Sequence, residues 1–117
     1  MTSSDRVTNL EYLNELSKGD PAFINEMVNI FLIENPEEVK VLETGIKEED
    51  YEVIRSMSHH MKSTIPFVGL DILIGKDLTD IEKLAEEKTG IEIIKTLFVN
   101  VKITCDKAFD ELKPQTL

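Results

Sequence analysis

The stretch Tyr51-Glu52-Val53-Ile54-Arg55-Ser56-Met57-Ser58-His59-His60-Met61-Lys62-Ser63-Thr64-Ile65-Pro66-Phe67-Val68 decides how the chain folds. A helix turns the chain by about 100° per residue, so residues three and four apart share a face. On that wheel Ile54, Met57, Met61, Ile65 and Val68 form one apolar stripe, and Glu52, Arg55, Ser56, His59, Lys62, Ser63 and Pro66 lie opposite. A helix with one apolar stripe is stable when other helices cover it. The only two histidines fall in the middle of this run. His59 is expected to face water with Lys62 one turn on. His60 is rotated toward Val53, Met57, Thr64 and Phe67, at the border of the stripe, which predicts a packing role. Pro66 removes the amide that would bond the Lys62 carbonyl, so a bend is expected just after the histidine face.

Working outward, four more helices follow from the same periodicity. Leu10, Leu13 and Leu16 mark a short first helix stopped at Lys18-Gly19. Asp20-Pro21 reads as an N-cap followed by proline at the first helical position. The second helix carries Phe23, Ile24, Met27, Val28, Ile30 and Phe31, then Val39, Leu42 and Ile46, and is expected to continue through Pro36 as one kinked helix. Asp50 caps the histidine helix, which should run to about Val68 and stop at Gly69. A fourth helix is carried by Leu73, Leu78, Ile81, Leu84 and Ala85, with Gly75 interrupting its start. Thr89-Gly90-Ile91-Glu92 predicts a capping box for a fifth helix. There Ile91, Ile94, Phe98, Val101, Cys105, Ala108 and Leu112 step by three and four toward Lys113-Pro114. With no strand pattern and short loops, the expected fold is all-α: an antiparallel up-down-up-down four-helix bundle, with the short first helix lying across one end.

The 117 residues suit a single domain, with an ordered core expected over about residues 9–113. Apolar residues make up 41% and charged residues 31%, which excludes a disordered tail. No apolar run approaches the roughly 18 residues of a transmembrane helix, and Met1 to Arg6 lacks the pattern of a signal peptide, so a cytoplasmic protein is expected. Acidic residues number 23 against 13 basic ones, giving a net charge of −10 that disfavours nucleic acid and anionic lipid as partners. The single Cys105 lies in the apolar seam of the fifth helix and reads as a small buried hydrophobe. Because every strong apolar stripe is needed for the bundle, a monomer is expected.

Several chemistries lack their residues. No glycine-rich phosphate loop precedes a helix, which argues against an ATP site. Metal binding by the histidine pair is poorly served, because a two-ligand helical site needs positions i and i+4. There His59 has Ser63 and His60 has Thr64. What remains is His59 on a rigid helix beside Lys62. Neutral imidazole, with an ordinary pKa of about 6.5, is a nucleophile near neutral pH. A neighbouring ammonium can offset the charge spread over a phosphoryl group in transfer. Ser56 and Ser63 are short and leave room for a partner beside the ring. An ordinary solvated face would show the same spacing.

The set His59, Met61, Lys62, Ser63 and Gly69 resembles the signature of histidine-containing phosphotransfer (HPt) domains. In these, a large apolar residue, a lysine, a small residue and a glycine follow the histidine at plus two, three, four and ten. Leu13, Leu16, Gly19, Asp20 and Phe23 resemble the family's entry helix and the start of its first bundle helix, and the likeness spans roughly Leu10 to Leu112. The resemblance implies that His59 is the phosphoacceptor in a two-component phosphorelay and that Lys62 stabilises the phosphoryl group. It implies that Ser56, Ser63 and Pro66 border the docking surface, with Ser63 where the family usually has glycine and Pro66 where a small residue is common. The implied partners are response-regulator receiver domains and a hybrid sensor histidine kinase. The chain itself would hold no cofactor, the Mg2+ belonging to the receiver, and no kinase activity of its own. The rival expectation is a helical docking module that binds a receiver or kinase without carrying phosphate.

Overall fold

Five α-helices and one 3-10 turn account for most of residues 6–114, the part of the chain described by the computed structural model. In order these are α1 (Glu11–Ser17), α2 (Pro21–Lys47), α3 (Tyr51–Thr64), the 3-10 turn Ile65–Val68, α4 (Asp71–Glu86) and α5 (Ile91–Leu112). Among the described residues there is no strand, and no helix is long and apolar enough to cross a membrane.

The long helices pack as a closed cycle: α2 against α3, α3 against α4, α4 against α5, and α5 back against α2. Polar contacts mark the register of each pair. Glu38 meets His60 between α2 and α3, and Glu82 meets His59 and Lys62 between α3 and α4. Asp77 meets Asn100 between α4 and α5, and Glu43 meets Lys102 between α2 and α5. Inside the cycle Leu42, Ile54, Met61, Ile74, Leu78, Ile81, Ile94 and Val101 are buried. Each such side chain contributes on the order of 1.5–3 kcal/mol by leaving water. Helix α1 packs on the 3-10 turn and on α2, with Leu13 buried and the Tyr12 ring 5.8 Å from that of Phe67.

Close approach and helix ends explain several sequence features. A Cβ on Gly45 would lie 2.9 Å from a Val53 methyl, so glycine sets how near α2 and α3 can come. Asp20 and Asp50 accept the Ala22 and Val53 amides as N-caps, and α2 runs unbroken through Pro36. Four ends close with the same pair of bonds, in which a left-handed residue donates three residues back and its successor donates five back. The left-handed residues are Lys18, Glu49, Gly69 and Lys88, so only one of the four is glycine.

Some expectations need correction. Thr89 is not the cap of a capping box. Its amide bonds the Leu84 carbonyl to finish α4, and Gly90, left-handed at φ 72°, occupies the N-cap of α5 with no side-chain bond. Completing one helix end used the residue that the next helix start needed. At the end of α1, Lys18 rather than Gly19 makes the first left-handed step. In α4, Gly75 does not interrupt the helix, and Ile74 rather than Leu73 is buried. In α3 the buried stripe runs through Ser58 instead of Met57, which is half-buried. The Ser58 hydroxyl donates to the Ile54 carbonyl at 2.7 Å, so a small polar side chain is satisfied where α3 lies between two neighbours.

Candidate functional site

Helix α3 is regular from Tyr51 to Thr64, so His59 and Lys62 both stand on α-helical backbone, one turn apart. Pro66 acts downstream of them: with its N–H absent, the α-helix ends at Thr64 and the chain tightens into the 3-10 turn Ile65–Val68. The bend expected from the sequence therefore lies past the histidine face. Gly69 follows at φ 80°, and a Cβ there would fall 2.7 Å from the Asn9 backbone oxygen. Both the conformation and the space require glycine.

His59 keeps 69% of its side chain exposed while its Nδ1 lies 2.8 Å from Oε2 of Glu82 on α4. The other carboxylate oxygen, Oε1, is 2.8 Å from Nζ of Lys62. That contact is an ion pair without hydrogen-bond alignment, since Oε1 is buried with no aligned donor. One acidic side chain thus holds both residues that the sequence singled out. Burial alone raises the Glu82 pKa, but the contacts of Lys62 and His59 outweigh it and hold the carboxyl below the usual range. An ionised carboxylate only accepts, so His59 donates through Nδ1–H. In the neutral ring the lone pair is then on Nε2, the nitrogen farther from the backbone, on an exposed side chain.

His60 is held the other way round. Its Nε2 lies 2.9 Å from Oε2 of Glu38 on α2, which leaves Nδ1, the ring nitrogen nearer the backbone, as the unengaged nitrogen. The expectation of a packed His60 is corrected: the side chain is 53% exposed and bonded to a carboxylate. Glu38 itself is the buried partner, and burial pushes its pKa up against the lowering effect of His60. Two adjacent histidines therefore contact acids on opposite neighbouring helices through different ring nitrogens.

The remaining residues named from sequence sit nearby in different ways. Ser56 and Ser63 are exposed on α3, and the Ser63 hydroxyl donates to the His60 carbonyl at 2.7 Å. Pro66 is half-buried beyond the helix end. Ser56 also lines an open groove of about 350 Å3 with Val41, Glu52, Val53, Arg55 and Met57, where α2 meets α3. Cys105 is buried, and desolvation pushes its thiol up to about 12, which makes it inert. Glu82 was not legible as a site residue: it is one of 23 acidic residues, and no local motif marks which of them reaches His59 across the helix pair.

The arrangement can position one imidazole for attack through Nε2, hold a proton at Nδ1 on a carboxylate, and keep an ammonium one turn away. In comparisons with protein-family models, with curated proteins and with solved structures, nothing matches this chain.

Proposed function

We propose that the chain is a histidine phosphotransfer module built as an antiparallel four-helix bundle of α2 to α5, with α1 across one end. Support for the bundle comes from the closed cycle of packed helices and from the register. Along α2 residues 38 and 45 face residues 60 and 53 of α3, so the two helices run in opposite senses.

The single observation that carries the function is the bond from His59 Nδ1 to Glu82 on an otherwise exposed ring. In the proposed reaction an aspartyl phosphate on a receiver domain approaches the exposed face. The Nε2 lone pair forms the N–P bond as the P–O bond to the aspartate breaks, and the aspartate leaves as a carboxylate. The Nδ1 proton stays on the ring, and Glu82 offsets the positive charge that the phosphorylated imidazole acquires. Lys62, 32% exposed, supplies an ammonium that can shift from Glu82 toward the phosphoryl oxygens. Transfer to a second receiver reverses these steps.

The test is incubation with a phosphorylated receiver. Wild type and His60→Ala are expected to become labelled with acid-labile, base-stable phosphate on the imidazole Nε2, and His59→Gln is expected to stay unlabelled. Label on His59→Gln, or at Nδ1, overturns the site. Receiver binding without label on the wild type favours the docking-module reading instead.

A further inference from the structure

We infer that residues 6–10 form a strap, latched by Glu111, that couples the C-terminal end of α5 to the turn ending the histidine helix. At one end of the strap, Glu111 accepts the Val7 amide at 2.8 Å, the Thr8 amide at 3.0 Å and the Thr8 hydroxyl at 2.6 Å. Arg6 adds a longer contact, with Nη2 at 3.8 Å. Three donors on one carboxylate that is only 16% exposed make a specific anchor in place of a casual surface contact.

One residue further on, the strap engages the other end of the couple. The Asn9 amide donates to the Val68 carbonyl at 2.9 Å, and the Asn9 backbone fills the space where Gly69 has no side chain. The Asn9 side chain then accepts the Glu11 amide at 2.8 Å and starts α1, which itself packs on the 3-10 turn. This turn needs outside support. Pro66 cannot donate to the Lys62 carbonyl, and the turn has no side-chain cap. Val7 and Leu10 add apolar contact to the core from the strap.

The couple is a conformational latch. With Glu111 engaged, the strap holds the Ile65–Val68 turn and thereby the last turn of α3, which carries Lys62 and Ser63. With Glu111 disengaged, the strap and the turn loosen together while the centre of the helical cycle stays closed. The inference does not depend on phosphotransfer.

Amide hydrogen exchange of the full chain under native conditions tests it, comparing wild type with Glu111→Ala and Thr8→Val. In Glu111→Ala, exchange at Asn9, Gly69 and Leu70 is expected to speed by about tenfold or more, with Leu78 and Ile81 in α4 unchanged. Thr8→Val, which removes one of three bonds, should change the same amides in the same direction by about threefold. Unchanged exchange at Asn9, Gly69 and Leu70 in both variants overturns the coupling. Equal acceleration at those amides and in α4 also overturns it, because Glu111 would then serve only global stability. If Glu111→Ala does not fold, Thr8→Val alone decides by the same amides.

Discussion

Glu82 on α4 accepts the Nδ1–H of His59 on α3 at 2.8 Å, and through its other oxygen it meets Lys62. The two histidine-helix residues are thus organised by one side chain of the next helix, 23 positions beyond His59 in sequence. Replacing Glu82 by Ala is expected to leave His59 exposed but free to hold its proton on either nitrogen. Nitrogen NMR of the ring should show loss of the Nδ1–H preference. In the proposed reaction the transfer rate should fall by about tenfold to a hundredfold. An unchanged tautomer in Glu82→Ala removes the assigned role.

Gly69→Ala combines two penalties, a left-handed backbone and a collision with Asn9. Together they are expected to cost about 2–4 kcal/mol in a urea titration. The same substitution at Gly75 meets no positive φ, and the added Cβ would lie an ordinary 3.8 Å from Asp71 Cβ. It should instead stabilise by up to about 1 kcal/mol through helix propensity.

Lys88 and Glu49 occupy left-handed positions, at φ 55° and 53°, where an L side chain is strained. Lys88→Gly and Glu49→Gly are each expected to raise stability by about 0.5–1 kcal/mol, the strain relieved exceeding the entropy lost by glycine. Thermal melts that fall for both variants contradict this account of the helix ends.

Glu111 gives a pH dependence of known sign. Burial raises its pKa, but the Thr8 and Val7 donors and Arg6 outweigh burial and hold it below the usual range. A carboxylate depressed in the folded state stabilises the fold above its unfolded pKa of about 4.3, and that contribution is lost as pH falls through the folded value. The stability difference between wild type and Glu111→Gln should therefore be largest near neutral pH and shrink below about pH 4. A gap that widens in acid refutes the sign.

Helix periodicity in the amino-acid sequence determined much of this protein. The segments around Leu13, Leu42, Ile54, Leu78 and Val101 are helices with these residues buried, because an apolar stripe at spacing three and four has one way to leave water. Asp20 and Asp50 announced the starts of α2 and α3 because capping is local chemistry, whereas Gly69 closes the 3-10 turn and α3 itself ends earlier, at Thr64. Periodicity also put His59 on the exposed face beside Lys62.

Only the tertiary structure decided the rest. Whether Thr89 closes α4 or opens α5 depended on competition between two helix ends. Ser58 could replace Met57 in the stripe because α3 is pressed between two neighbours, and a hydroxyl bonded to its own helix is small and satisfied. The pairing of His59 with Glu82, and of His60 with Glu38, depended on the register of α3 against α4 and α2. That register is set by packing across residues far apart in the chain, and it fixes which imidazole nitrogen each histidine leaves unengaged.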